Sequence, residues 1–241
     1  MEINKKTKDE IKEMNYEGIM MFITQLRTKV TPTGFTDKSR LEKHFLESYE
    51  NLIGNDKPSV TEYGGGVPIL SLYLLLKGKI DKIISIDNDP STISELEHIT
   101  DTLKLPVEII NDDLNSMSEF PDTDMGISVN TLFGYAPDWK MGAEGWSLDR
   151  LPVINNDIIG KSKHNRFGVF RFIYNCSEWF QAKEAKETLE SNFNIILDLS
   201  PGSIRGLAAG YHNLSGDVMN YAFSEMSGYA GVIIGKDRKK E

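Results

Sequence analysis

The sequence predicts an α/β protein, a doubly wound, mostly parallel sheet of seven strands with a helical N-terminal cover. Two observations carry this. From Ser59 onward, short β-branched runs alternate with helical stretches, and two late runs, Asn194–Asp198 and Gly231–Gly235, close the pattern. Before Ser59 the apolar residues recur every three to four positions, which is helical spacing. Asp56-Lys57-Pro58 is the expected hinge, dividing a helical cover or lid over residues 1–57 from a core over 58–241.

Taken in order, residues 8 to 29 read as one helix with Ile11, Met14, Ile19, Phe22, Ile23 and Leu26 on its apolar face. Pro32 and Gly34 break it, and a second helix runs from about Asp37 to Leu52, ended by Gly54. Val60–Tyr63 is a short strand, followed by Gly64, Gly65 and Gly66 and then an apolar helix over Val67–Lys77. Lys82–Ile86 is a buried strand ended by Asp87, and Pro90–Leu103 is a helix whose proline suits a first turn. Val107–Ile110, Met125–Val129 and Phe167–Ile173 are further strands, and Ser177 can cap a helix reaching Ser191.

Composition narrows the function. Acidic residues outnumber basic ones, 36 to 27, for a formal net charge of −9. Such a surface repels phosphate backbones and disfavours nucleic acid as a partner. The basic cluster Lys161, Lys163, His164 and Arg166 reads as a solvated loop. A single cysteine, Cys176, excludes an internal disulfide framework and fits a reducing cytoplasm. The charged first residues have no apolar core behind them, and runs such as Ile69–Leu76 fall short of the ~20 residues of a membrane span. The expectation is a cytoplasmic protein with no membrane partner and no metal site.

In a doubly wound sheet, ligands sit at the carboxyl ends of the strands. The loop Thr61-Glu-Tyr-Gly-Gly-Gly-Val-Pro-Ile69 is therefore the first candidate site. A dinucleotide fingerprint would need glycine where Ile69 stands, and a phosphate loop around Gly160-Lys-Ser162 would need one at Asn155. An S-adenosylmethionine loop carries an acidic residue two positions before its first glycine, and Glu62 is there. A carboxylate suits a ligand that bears an ammonium and a sulfonium. Asp87, about 20 residues on, can accept from both ribose hydroxyls, with Asn88 beside it. Asp113, with Asp112 before it, can accept from the adenine amine, and Leu114 can pack on the ring.

On these motifs the chain resembles the class I S-adenosylmethionine-dependent methyltransferases. The likeness runs from about Ser59 to Met117, through Glu62-Tyr-Gly-Gly-Gly-Val-Pro, Ile-Ile-Ser-Ile-Asp-Asn-Asp-Pro and Asn-Asp-Asp-Leu. It implies a Rossmann-like fold and S-adenosylmethionine as cofactor. A third glycine common in that family is Pro68 here, at a helix start that tolerates proline. Beyond the core, the layout is similar to the release-factor glutamine methyltransferases. Val30–Leu41 looks like the segment over their cofactor, Gly142-Ala-Glu-Gly145 like their glycine- and acid-rich stretch, and Gln181–Asp198 like their carboxyl-terminal layout. Asn130-Thr-Leu-Phe133 stands where that family has Asn-Pro-Pro-Tyr; Thr131 and Leu132 replace both prolines, which puts amide or adenine specificity in doubt. The resemblance still implies that Asn130 orients an acceptor, and touches the cofactor, while Phe133 packs on that acceptor.

The segment after the fourth strand is rich in aromatics. Tyr135, Trp139 and Trp146, with Tyr16 from the first helix, are candidate acceptor-binding residues. Between the last two strands, Tyr211 is a further candidate contact and His212 the candidate base. Methyl transfer needs mainly alignment and desolvation, so a base is not obligatory. The expected activity is methyl transfer to a small molecule or a peptide or protein side chain. Aminocarboxypropyl transfer, which attacks a different carbon of the same sulfonium, and a non-catalytic cofactor-binding module are the alternatives. A homodimer is compatible with the sequence.

Overall fold

The computed structural model describes residues 8–27, 46–64, 66–129, 131–132, 134–142, 145–153, 157–171, 179–180, 182–198 and 231–239. Its frame is a seven-stranded sheet. β1 (Ser59–Tyr63), β2 (Lys82–Asp87), β3 (Val107–Asn111), β4 (Met125–Val129) and β7 (Arg166–Arg171) are parallel neighbours in the order β3-β2-β1-β4-β7. β10 (Gly231–Arg238) then lies antiparallel between β7 and the edge strand β9 (Phe193–Asp198). The predicted doubly wound, seven-stranded, mostly parallel sheet is therefore present. Its middle strands are buried on both faces, as the continuous apolar runs of β2 and β4 require.

α4 (Ile69–Leu76) follows β1, and all eight of its residues are buried. A helix apolar all round needs cover on both sides. The sheet gives one side, and α1 (Lys8–Glu13) and α2 (Tyr16–Leu26) give another, their Ile11, Tyr16, Ile19 and Ile23 belonging to the same core cluster as Leu72 and Val60. The predicted helix 8–29 is thus divided. Asn15 takes an extended backbone and its side chain accepts the Gly18 N–H at 2.9 Å, capping a new helix at Tyr16. Lys77 Nζ donates to the Met14 carbonyl at 2.8 Å and to the Lys12 carbonyl, serving the end of α1. α3 (Leu46–Ile53) places Tyr49 and Leu52 in the same core. Its last turn is held by Arg166, which donates to the Ile53 carbonyl and pairs with Asp56 at 2.8 Å.

α5 (Pro90–Leu103) is capped by Asp89, which accepts from Ser91 N–H at 3.0 Å, with Pro90 opening the helix as predicted. Arg27, just past α2, meets Glu95 of α5 through two bonds of 2.7 and 2.6 Å, both side chains largely buried. α6 (Asp157–Lys161) and α7 (Ala182–Asn192) pack together over the second core cluster, which contains Tyr63, Leu114, Leu132, Phe167 and Phe193.

A second sheet was not anticipated. β5 (Gly134–Gly142) and β6 (Gly145–Val153) form an antiparallel hairpin, joined at its root by β8 (Trp179–Phe180). Trp179 and Phe180 therefore extend where a helix from Ser177 was expected, and the helix begins at Ala182; Ser177 itself lies outside the described residues. Among the described residues, no helix is long and apolar enough to cross a membrane.

Candidate functional site

The carboxyl ends of β1, β2 and β3 converge on the glycine loop. Gly64 and Gly66 have φ of +66° and +84°, a region open to glycine and costly for side chains. Gly64 N–H donates to the Ile86 carbonyl at 2.8 Å, closing the loop against β2. Gly66 N–H donates to Asp87 Oδ2 at 3.1 Å, while Asp87 Oδ1 accepts from Asp89 N–H at 2.9 Å. The predicted loop and the predicted second-strand acid are thus in direct contact. Each oxygen of Asp87 accepts one of these bonds and retains a second lone pair for another donor. Asn88 next to it is exposed; Gly65 lies outside the described residues.

The end of β3 sits beside Asp87, because Asp112 N–H donates to the Asp87 carbonyl at 3.2 Å. Asp112 Oδ1 accepts from Asp113 N–H and Ser116 Oγ, and Asp113 Oδ1 accepts twice from Asn115, at 2.9 and 3.0 Å. These bonds fold a tight turn with both acids exposed and Leu114 buried beneath them. Leu114 shares its cluster with Leu132, three residues past the end of β4.

β4 completes the cradle from the other side. A Cβ on Gly64 would stand 2.5 Å from Thr131 Cγ2 and 2.8 Å from Thr131 Oγ1, so the loop backbone lies against this threonine. Leu132 N–H donates to Ser128 Oγ at 2.8 Å, turning the chain at the end of the strand. Thr131 and Leu132, read in the sequence only as replacements for prolines, are the residues that meet the loop and the core beneath it. Asn130 and Phe133 lie outside the described residues, as do Tyr211 and His212.

Glu62 is 2% exposed, two residues before Gly64. Its Oε1 accepts from Tyr49 Oη at 3.0 Å and from Ser71 Oγ, and the two hydroxyls also meet each other. Tyr49 and Ser71 escaped the sequence reading, since nothing local ties a hydroxyl in a cover helix to a strand 13 positions later.

Tyr16 is buried, its ring edge-on to Tyr73 of α4 at 5.0 Å. Tyr135 and Trp139 lie on β5 and Trp146 on β6. The register aligns Tyr135 with Pro152 and with Trp179 of β8, Trp139 with Leu148, and Met141 with Trp146.

A polar network lies on the other side of β1. His164 is fully buried rather than part of a solvated loop. Its Nδ1 donates to the Thr123 carbonyl at 2.9 Å, which leaves Nε2 to accept from Tyr63 Oη at 2.6 Å. Burial pushes the imidazole down to about 4, so it is neutral near pH 7, and burial pushes the Tyr63 hydroxyl up. Lys161 and Lys163 are exposed as expected. Among the described residues, no group of three or more His, Cys, Asp or Glu could hold a metal ion.

No protein-family model matches the chain, and no curated protein matches it. Solved structures do. The chain is similar to a Listeria monocytogenes protein described as a class I S-adenosylmethionine-dependent methyltransferase, with TM-score 0.54 and 15% identity over 100% of this chain and 72% of that one. It is also similar to the geranyl diphosphate C-methyltransferase of Streptomyces coelicolor A3(2), solved with S-adenosyl-L-homocysteine, at TM-score 0.50 and 11% identity over 83% and 77%. A Thermoplasma acidophilum protein gives TM-score 0.50 and 12% identity over 95% and 100%. At such identities the likeness is one of fold. The chain has the fold of the class I S-adenosylmethionine-dependent methyltransferases, with a glycine loop and an acidic strand end where that fold binds ligands.

Proposed function

We propose that the protein is an S-adenosylmethionine-dependent methyltransferase. The observation that carries this reading is the bond from Gly66 N–H to Asp87 Oδ2 in a loop whose flanking glycines both have positive φ. It supports a surface on which a nucleoside can approach bare backbone and offer its ribose to a fixed carboxylate. When bound, S-adenosylmethionine supplies an electrophilic methyl group on a sulfonium. Glu62 offers charge opposite to that cofactor, Gly64, Gly65 and Gly66 give it room, and Asp87 with Asn88 receives the ribose. Asp112, Asp113 and Leu114 enclose the adenine. Asn130 and Phe133 orient the acceptor, with His212 as the base where one is needed.

The acceptor is a small molecule or a peptide side chain, received near the root of the second sheet, where Tyr135 and Trp179 share a register row close behind Leu132. Trp139 and Trp146 of the hairpin, with Tyr16 and Tyr211, are the remaining proposed contacts. The net charge of −9 speaks against nucleic acid only as a bulk property, and this fold hosts many kinds of acceptor.

Titration calorimetry with S-adenosylmethionine tests the cofactor. Wild type binds it, and both variants weaken binding at least about tenfold, Gly64→Arg by crowding the loop and Asp87→Ala by the loss of roughly one charge-assisted contact. Unchanged affinity in both variants overturns the assignment. Product analysis then identifies the bond broken, S-adenosylhomocysteine for methyl transfer and methylthioadenosine for aminocarboxypropyl transfer.

A further inference from the structure

We infer that Tyr63, anchored on His164, is a positioning residue for the glycine loop of the cofactor site; this rests on the proposed methyltransferase reading. Between Tyr63 and Val67 the loop has no side chain of its own, and glycine has more backbone freedom to lose on ordering than any other residue. Its place must therefore be imposed from its two ends. Val67 is buried in the main core at one end. Tyr63, fully buried, stands at the other, one peptide bond before Gly64.

Tyr63 is held along its whole length. Its ring stacks on Phe167 of β7 with centroids 5.6 Å apart and is tilted against Phe120 at 5.9 Å. Its hydroxyl donates to His164 Nε2 at 2.6 Å, with Ser162 beside it. The imidazole is itself fixed, because Nδ1 donates to the Thr123 carbonyl at 2.9 Å. Arg238 of β10 holds the same turn, donating to the His164 carbonyl at 2.9 Å and to Ser162 Oγ at 3.1 Å. Thr123 Oγ1 leads back to β1, meeting Thr61 Oγ1 at 2.8 Å. Thr61 and Tyr63 share one face of the strand, so the chain of contacts Thr61–Thr123–His164–Tyr63 grips β1 where the loop departs. Gly64 and Gly66 then reach the Ile86 carbonyl and Asp87 from a fixed root. A loop that left this arrangement for part of the time would bind its ligand more weakly in proportion.

The test reads ligand affinity and loop order separately. Tyr63→Phe keeps the stacked ring and removes only the hydroxyl. In titration calorimetry it weakens S-adenosylmethionine about fivefold, the scale of one neutral hydrogen bond. His164→Leu does the same, whereas His164→Gln, which offers an amide oxygen to Tyr63, stays within about twofold of wild type. Tyr63→Phe combined with His164→Leu loses no more than Tyr63→Phe alone. In the ligand-free protein, the Gly64 and Gly66 amides exchange hydrogen about fivefold faster in Tyr63→Phe, while that of Ile83, at the far end of β2, does not change. A bond that serves stability alone lowers Tm and moves neither readout. Unchanged affinity or unchanged glycine exchange in Tyr63→Phe therefore overturns the inference, as does an additive loss in the double variant. In those cases wild type still binds S-adenosylmethionine and the functional reading stands. A wild-type protein that does not bind it overturns both.

Discussion

Replacing Gly64 by alanine meets two separate obstacles. The backbone there holds φ at +66°, where an L side chain costs about 1–2 kcal/mol. The new Cβ would also lie 2.5, 2.8 and 3.1 Å from Cγ2, Oγ1 and Cβ of Thr131, inside van der Waals contact. Relieving such an overlap in a packed site costs typically about 1–3 kcal/mol. Together these give a destabilisation of roughly 2–5 kcal/mol, or a fall in Tm of about 10 °C for a chain of this length. The two parts can be separated. Thr131→Ala removes Cγ2 and Oγ1 and leaves only the 3.1 Å neighbour, so the double variant recovers most of the steric part and none of the backbone part. Urea unfolding of wild type, both single variants and the double variant should return a favourable coupling of about 1–3 kcal/mol. S-adenosylmethionine affinity, measured on the same four proteins, recovers in parallel if the loop is displaced by the clash. Strict additivity would refute the reasoning, because Thr131 would then have no part in keeping position 64 a glycine.

Three further outcomes are expected. His164 falls from 6.5 to about 4 on folding, so the unfolded chain binds more protons between those values. Its contribution, about 3 kcal/mol, is therefore complete above pH 6.5 and lost as the pH drops toward 4; the pH slope of unfolding should flatten in His164→Gln. Arg27→Met leaves Glu95 buried without its bidentate partner and should cost about 3 kcal/mol in thermal unfolding, whereas Arg27→Met with Glu95→Leu should cost less, since no buried charge is stranded. Trp139→Ala with Trp146→Ala should lower kcat/KM for the acceptor while leaving the S-adenosylmethionine Kd within about twofold of wild type, both positions lying outward from the hairpin root.

Much of this was legible from local pattern. The β-branched runs of β1 to β4, the loop glycines and the acid after β2 are each marked by neighbours within a few residues, and the contact between Gly66 and Asp87 joins features the sequence had already set apart. The split at Asn15 was also legible, as an Asn before a helical stretch caps it, but an unbroken apolar periodicity outweighed that signal. The hairpin left a period-two alternation in Tyr135, Pro137, Trp139 and Met141, around a turn between Gly142 and Gly145. Pro137 and Pro152 argue against strand, and the aromatics invited a pocket reading instead. Contacts across long sequence distance left no local trace. His164 looked like one member of a basic loop because its partner Tyr63 is 101 residues away, and Glu62 gave no hint that Tyr49 would hold it.

The placement of β10 has a consequence for the protein's fate in the cell. The strand fills an interior slot between β7 and β9, with Val232, Ile233 and Ile234 fully buried. Whenever it detaches, two apolar strands lose their partner at once, and β7 presents Phe167, Val169 and Phe170 along a bare edge ready to recruit another chain. Arg166 and Arg171 bracket that run, as charged residues do around segments prone to self-association. Substitutions that loosen β10 should therefore show first as aggregation and chaperone dependence, before any loss of cofactor binding in the molecules that remain folded.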